Sequence, residues 1–252
     1  MFASSVTKPN DKVIDAVISS AEFKRNAMAA RLNWLRAGVL GANDGIMSTS
    51  GVVLGVAASP GVTSGTILLA GTAAVVAGSI SMAGGEYTSV SAQRDSEKAA
   101  LAQERGELKE DPEGELRELA WFYEQKGMSP ALAMKVAEEL TARDALKAHA
   151  EAELGIDSDH HVSPMQAALS SFIAFAAGGL LPLMAVSGPW IDYRIQLTVA
   201  SVLLALVLTG FVGAKLGGAK PLRGILRNVF VSTLTMVVTY VIGLLVGSTV
   251  VV

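Results

Sequence analysis

Five long stretches of mostly apolar residues dominate the hydropathy pattern of this chain, and what lies between them is uneven. They run from about Leu35 to Ala58, Gly65 to Val90, Met165 to Val186, Ile195 to Leu216 and Ile225 to Val250. A hydrocarbon core about 30 Å thick needs roughly 20 such residues in a helix, so each stretch predicts a membrane span. Spans one and two are joined by Ser59-Pro60-Gly61, and spans three and four by Ser187-Gly188-Pro189-Trp190, both short and rich in breakers. Between spans two and three the pattern turns polar for about 70 residues. The predicted fold class is all-α: a polytopic membrane protein with five transmembrane helices and a helical, water-soluble insert.

The insert has helical punctuation of its own. Span two is expected to continue as a helix to about Glu110, followed by a turn at Asp111-Pro112-Glu113-Gly114. A second helix runs from about Glu115 to Lys126 and stops at Gly127. Ser129-Pro130 is a cap followed by proline in the first turn, and it opens a helix to about Leu140. A last helix covers about Arg143 to Leu154 and ends at Gly155. The expected division is residues 1–34 as an N-terminal segment, 35–90 as spans one and two, 91–162 as the insert and 163–252 as spans three to five. The N-terminal segment has no signal-peptide pattern but a short amphipathic helix around Val13 to Met28.

Charge sharpens this division. Of 252 residues 51% are hydrophobic and 17% charged, below the roughly 25% charged of soluble domains. Between Arg94 and Asp159 lie 17 acidic and 9 basic residues, so that block nets −8 against −3 for the whole chain. The basic residues also set an orientation. With the N-terminus and insert cytoplasmic, Arg194 alone of the 20 Lys and Arg falls outside, and Lys215, Lys220, Arg223 and Arg227 crowd an inner loop. Five spans then put the C-terminus outside. Cysteine is absent, which excludes disulfides, thiolate metal sites and cysteine catalysis.

Ionisable groups within a span are expensive and mark function. Span one carries Asn43-Asp44-Gly45 followed by Met47, Ser48, Thr49 and Ser50. Gly41 and Gly45 leave room for another helix, or a hydrated ion, to approach the Asp44 carboxylate; a purely packing role is the alternative. Span two carries Met82 and Glu86, four apart and on one face. A thioether beside a carboxylate suits a first-row transition ion better than Ca²⁺ or Mg²⁺. Span two is also dense in small residues, from Gly65 to Gly85, which favours close helix packing within the bundle over a dedicated dimer seam.

In the insert, Glu104 and Glu107 are three apart, as are Glu115 and Glu118, and His149 and Glu153 are four apart. Each pair shares a helix face. Three such faces can converge on one or more divalent ions, or they can simply be solvated acidic surface. His160-His161 read as surface residues in a polar linker. No metalloprotease, nucleophile-elbow, phosphate-loop or dinucleotide fingerprint is present, so an enzyme is not expected, nor is a nucleic-acid partner.

These features in this order resemble the vacuolar iron transporter family of Fe²⁺/Mn²⁺ exporters, which includes nodulin-like and bacterial members. The resemblance rests on Asn43-Asp44-Gly45, on Ile80-Ser81-Met82-Ala83-Gly84-Gly85-Glu86-Tyr87, on the insert closing at Glu153-Leu154-Gly155, and on Gly178-Gly179-Leu180-Leu181-Pro182. It covers about Arg31 to the end. It implies a homodimer in the lipid bilayer whose metal path is lined by spans one and two, with Asp44 and Met82 at the family's membrane metal positions. It also implies that Glu104, Glu107, Glu115, Glu118 and Glu153 are metal ligands of a cytoplasmic domain. Two departures stand out: Ala74 occupies a position where plant members carry glutamate, and His149 and Ala150 stand where the family can place methionines.

The expected function is proton-coupled export of Fe²⁺ or Mn²⁺ from the cytoplasm, in a bacterial inner membrane rather than a vacuolar one. The insert, with His149 among its ligands, collects ions, and Asn43, Asp44, Met47, Met82 and Glu86 line the path. Zn²⁺ and Co²⁺ fit such mixed sites as well. The rival readings are a non-transporting metal buffer or sensor tethered to the membrane, and a packing scaffold that binds no metal.

Overall fold

The computed structural model describes residues 37–156 and 163–250. The amphipathic segment around Val13 to Met28 and the pair His160-His161 lie outside the described residues. The described helices are α1 (Ala37–Ala57), α2 (Ser64–Glu110), α3 (Pro112–Gln125), α4 (Pro130–Ala152), α5 (Pro164–Ser187), α6 (Arg194–Leu216) and α7 (Pro221–Val250), with a 3₁₀ turn at Ile191–Tyr193. Strands are absent among the described residues. Among the described residues, five helices are long and apolar enough to cross a membrane, as the hydropathy pattern predicts. Two compact units divide after Glu86 and after Met165, so α2 contributes its first part to one and its last part to the other.

The first unit contains α1, the start of α2, α5, α6 and α7. Its core joins Ile46, Val53 and Leu54 to Ile67, Val75, Leu183, Val202, Leu206 and Met236. Outside that core the helices are apolar on their outer faces too: Leu226, Phe230, Leu234, Val237 and Leu245 of α7 are all exposed. Lipid tails solvate such a surface, which leaves close packing to hold the helices together. Glycine supplies it between α1 and α5. A Cβ on Gly45 would fall on the Phe175 carbonyl oxygen, and one on Gly178 would fall on the Ala42 carbonyl oxygen. Gly71 and Gly78 of α2 likewise face Val53, Leu183 and the Phe175 ring, so part of the small-residue face packs within the bundle. Gly84 and Gly85 have no neighbour that a Cβ would meet.

The buried hydroxyls of Ser79 and Thr198 in this unit are satisfied by their own helices, whereas those of Thr49, Ser171 and Ser232 have no hydrogen-bond partner among the described residues. Ser79 Oγ donates to the Val75 carbonyl (2.6 Å) and Thr198 Oγ1 to the Arg194 carbonyl (2.7 Å). Such back-bonding to the preceding turn lets a polar side chain sit inside without another partner. Pro182 lies inside a continuous α5, and the neighbouring Gly178 and Gly179 serve the approach of α1.

The second unit contains the end of α2, α3 and α4. Asp111 caps α3, its carboxylate accepting from the Gly114 N–H at 2.9 Å, and Pro112 takes the first helical position. Gly127 ends the turn after α3 with φ +94. Within α4 the backbone leaves helical geometry at Asp144 (φ −165, ψ 94), whose carboxylate accepts from the Lys147 N–H at 3.1 Å. Asp144 thus starts a second helical segment, close to the break that the sequence suggests around residue 142. The core is small: Leu119, Ala120, Ala137 and Ala148, with Leu116, Tyr123, Met134 and Leu140 around them.

Candidate metal site

The ends of three helical segments bring the acidic pairs of the second unit together. Glu104 comes from the last turns of α2, Glu115 from the first turn of α3, and His149 and Glu153 from the end of α4. His149 is completely buried and Glu104 is 2% exposed. His149 Nδ1 lies 3.0 Å from Glu104 Oε1, 3.6 Å from Glu115 Oε2 and 3.6 Å from Glu153 Oε2. Glu104, Glu115 and His149 each offer a ligand atom within 4.8 Å of the others.

These donors are not spent on one another. Both ring nitrogens of His149 and Oε1 of Glu104 lack a hydrogen-bond partner, despite the short Nδ1–Oε1 distance. Buried polar atoms left unpaired are costly, and a cation among them would satisfy several at once. The acids register the same strain. Burial, and then the charges of Glu153, Glu115, Glu107 and Glu118, push the Glu104 carboxyl up to about 7. Glu115 is also raised, first by burial and then by Glu118, with His149 acting in the opposite sense. Carboxylates, an imidazole and a water-poor interior together suit a divalent first-row ion.

Of the six residues predicted here, four meet: Glu104, Glu115, His149 and Glu153. Glu107 and Glu118 act on Glu104 through their charge. Glu107 accepts from Gln103 Nε2 at 3.0 Å, and Glu118 is exposed.

In the first unit Asp44 is exposed, and its Oδ1 accepts from Ser48 Oγ at 3.0 Å. Asn43 Oδ1 accepts from Thr209 Oγ1 of α6, which fixes α1 against α6 next to the carboxylate. Asn43, Asp44 and Met47 line a cavity of about 1130 Å³ formed with α6 and α7. Met82 and Glu86, both half-buried, are not among its lining residues. The helix drawn close by Gly41 and Gly45 is α5, whose backbone passes against both.

Comparison with known proteins settles the relationship. The sequence profile of the VIT family matches residues 35–244. The chain belongs to the VIT family. It is 44% identical over 225 residues to the vacuolar iron transporter of Acanthamoeba castellanii, covering 88% of this chain and 82% of that protein. It is 33% identical over 220 residues to vacuolar iron transporter homolog 1 of Arabidopsis thaliana, with 86% of each chain covered. Against vacuolar iron transporter homolog 1 of Oryza sativa subsp. japonica the identity is 35% over 236 residues, with 90% and 83% covered.

This VIT-family chain is therefore a multi-pass integral membrane protein and not an enzyme. Sequence reasoning missed the three cations that share the cavity with Asp44, namely Lys220, Arg223 and Arg227. Their clustering is visible in the sequence, but only as a marker of orientation. Thr209, the partner of Asn43, carries no sequence signal, since a threonine in an apolar helix is ordinary.

Proposed function

We propose that this VIT-family protein is a homodimeric, proton-coupled transporter that moves Fe²⁺ or Mn²⁺ out of the cytoplasm. The observation that carries the reading is the buried pair Glu104 and His149, whose Oε1 and ring nitrogens lack hydrogen-bond partners, with the Glu115 and Glu153 carboxylates beside them. The names of the relatives, vacuolar iron transporters, support a metal ion as cargo. Residues 91–162 form the cytoplasmic collecting domain, and residues 35–90 and 163–252 the membrane part, with the N-terminus inside and the C-terminus outside. The concentration of Lys and Arg on one side of the spans supports that orientation, and a bacterial inner membrane is its setting.

The chemistry is competition. A carboxylate that holds a proton is a poor ligand, so metal and proton displace one another. Glu104, with a pKa near 7, sits where this exchange is most sensitive to ordinary changes in pH. Within the membrane, Asp44 takes the ion and accepts a proton as the ion leaves, while Asn43, Met47, Met82 and Glu86 complete the path. Ser48 orients the Asp44 carboxylate.

Reconstituted into liposomes, the protein should move Fe²⁺ and Mn²⁺ when a pH gradient is imposed, and collapsing the gradient should stop the net flux. A membrane-tethered buffer or sensor would bind the same ions and show no flux under either condition.

A further inference from the structure

We propose that the cavity between α1, α6 and α7 is a binding site for an anionic phospholipid, its headgroup held by Lys220, Arg223 and Arg227. The cavity measures about 1130 Å³ and lies wholly within the first unit. The three cations occupy the start of α7 and the residue before it, spaced so that they lie along one side of its first two turns. All three are exposed, and none pairs with a carboxylate among the described residues. The lining contains a single acid, Asp44, which already takes a hydrogen bond from Ser48. Three cations against one carboxylate leave the cavity positively charged, and like charges this close call for a counter-ion.

The rest of the wall identifies which anion. Leu40 and Val231 line the same cavity and are apolar, so its cationic part suits a phosphate and its apolar part a hydrocarbon chain. A free phosphate would use only the first. A phospholipid uses both, and the five apolar helices of this unit put it among lipids. Basic pockets between transmembrane helices are known receivers of anionic headgroups. Since Asp44 lines the same cavity, a bound headgroup would also offset the positive charge that otherwise opposes a divalent cation there.

Native mass spectrometry of the full-length protein, offered equal amounts of phosphatidylglycerol and phosphatidylcholine, tests this. Retention of phosphatidylglycerol should exceed that of phosphatidylcholine by about tenfold or more, given three basic residues at the site. The preference should vanish in K220Q/R223Q/R227Q and survive in R223K/R227K. The wild-type preference is read first, so poor folding of the triple variant leaves the test intact. Equal retention of the two lipids by the wild type would overturn the proposal, as would an unchanged preference in a folded triple variant. Displacement of phosphatidylglycerol by millimolar inorganic phosphate would assign the site to a free anion instead. Retention seen only after removal of residues 1–30 would give the cavity to the chain's own N-terminal segment, and would equally contradict it.

Discussion

Glu104 Oε1 and His149 Nδ1 lie 3.0 Å apart in a water-poor interior without forming a hydrogen bond. An ion pair built for stability would align donor and acceptor, because the alignment recovers part of the desolvation cost. Here the two groups stay unaligned, and carboxylate oxygens of Glu115 and Glu153 each lie 3.6 Å from the same His149 nitrogen. The arrangement makes sense with a metal ion among them, and the predictions below follow from that.

Removing a ligand should weaken binding unequally across the cluster. Partners outside the ligand shell cost about 10–100-fold in affinity, and a direct ligand should cost no less. E104Q and H149A should each lower Mn²⁺ and Co²⁺ affinity by at least about tenfold, while E118Q, whose side chain is exposed, should cost less. H149A should penalise Co²⁺ more than Mn²⁺, because imidazole favours the later metal. Equilibrium dialysis of the purified full-length variants measures all three. Equal losses at Glu104 and Glu118 would argue for diffuse charge rather than a site.

The pH dependence has a definite sign. Glu104 is raised from 4.5 to about 7, so the metal-free fold holds its proton where the unfolded chain has lost it. That contribution to stability is complete below pH 4.5 and disappears as pH rises through 7. Metal-free protein should therefore melt at a lower temperature at pH 8 than at pH 5.5. Metal affinity should run the other way and increase over the same range, since the ion no longer competes with the proton. Melting curves at the two pH values, with and without Mn²⁺, check both halves, and E104Q should flatten the metal-free dependence.

Asp44 separates transport from binding. D44N keeps the shape and the contact with Ser48 but removes the charge. It should reduce gradient-driven flux in liposomes to that of empty vesicles and leave metal affinity at the cluster of Glu104 and His149 within about threefold of wild type, since Asp44 belongs to the other unit. Flux retained in D44N would remove Asp44 from the path.

Much of this was legible in the sequence, and the boundary is instructive. Helix positions follow from hydropathy and from punctuation such as Asp111-Pro112 and Gly127, because those signals are local. The i,i+3 pairs show that Glu104 and Glu107 share a face, as do Glu115 and Glu118. They do not show which member turns inward. Glu104 is buried while Glu107 bonds to Gln103, and Glu115 is half-buried while Glu118 is exposed. That choice depends on how the helices cross, which no spacing within one helix encodes. For the same reason, Met82 and Glu86 were grouped with Asp44 in the sequence, yet they do not line its cavity.

Close packing of α1 on α5 supplies a test of the membrane unit. G45A places a methyl group on the Phe175 carbonyl oxygen, and G178A places one on that of Ala42. Overpacking of this kind costs about 1–3 kcal/mol, so each variant should lower the apparent melting temperature in detergent. G84A and G85A, where a Cβ meets nothing, should be neutral by the same measurement.

The central claim, that Glu104 and His149 hold a metal ion, is tested most directly by titrating full-length protein with Mn²⁺ and Co²⁺ in a calorimeter, beside the double variant E104Q/H149A. The wild type should show saturable binding of both ions, and the folded double variant should lose it. Saturable binding that persists unchanged in the double variant, or its absence from the wild type, would contradict the account.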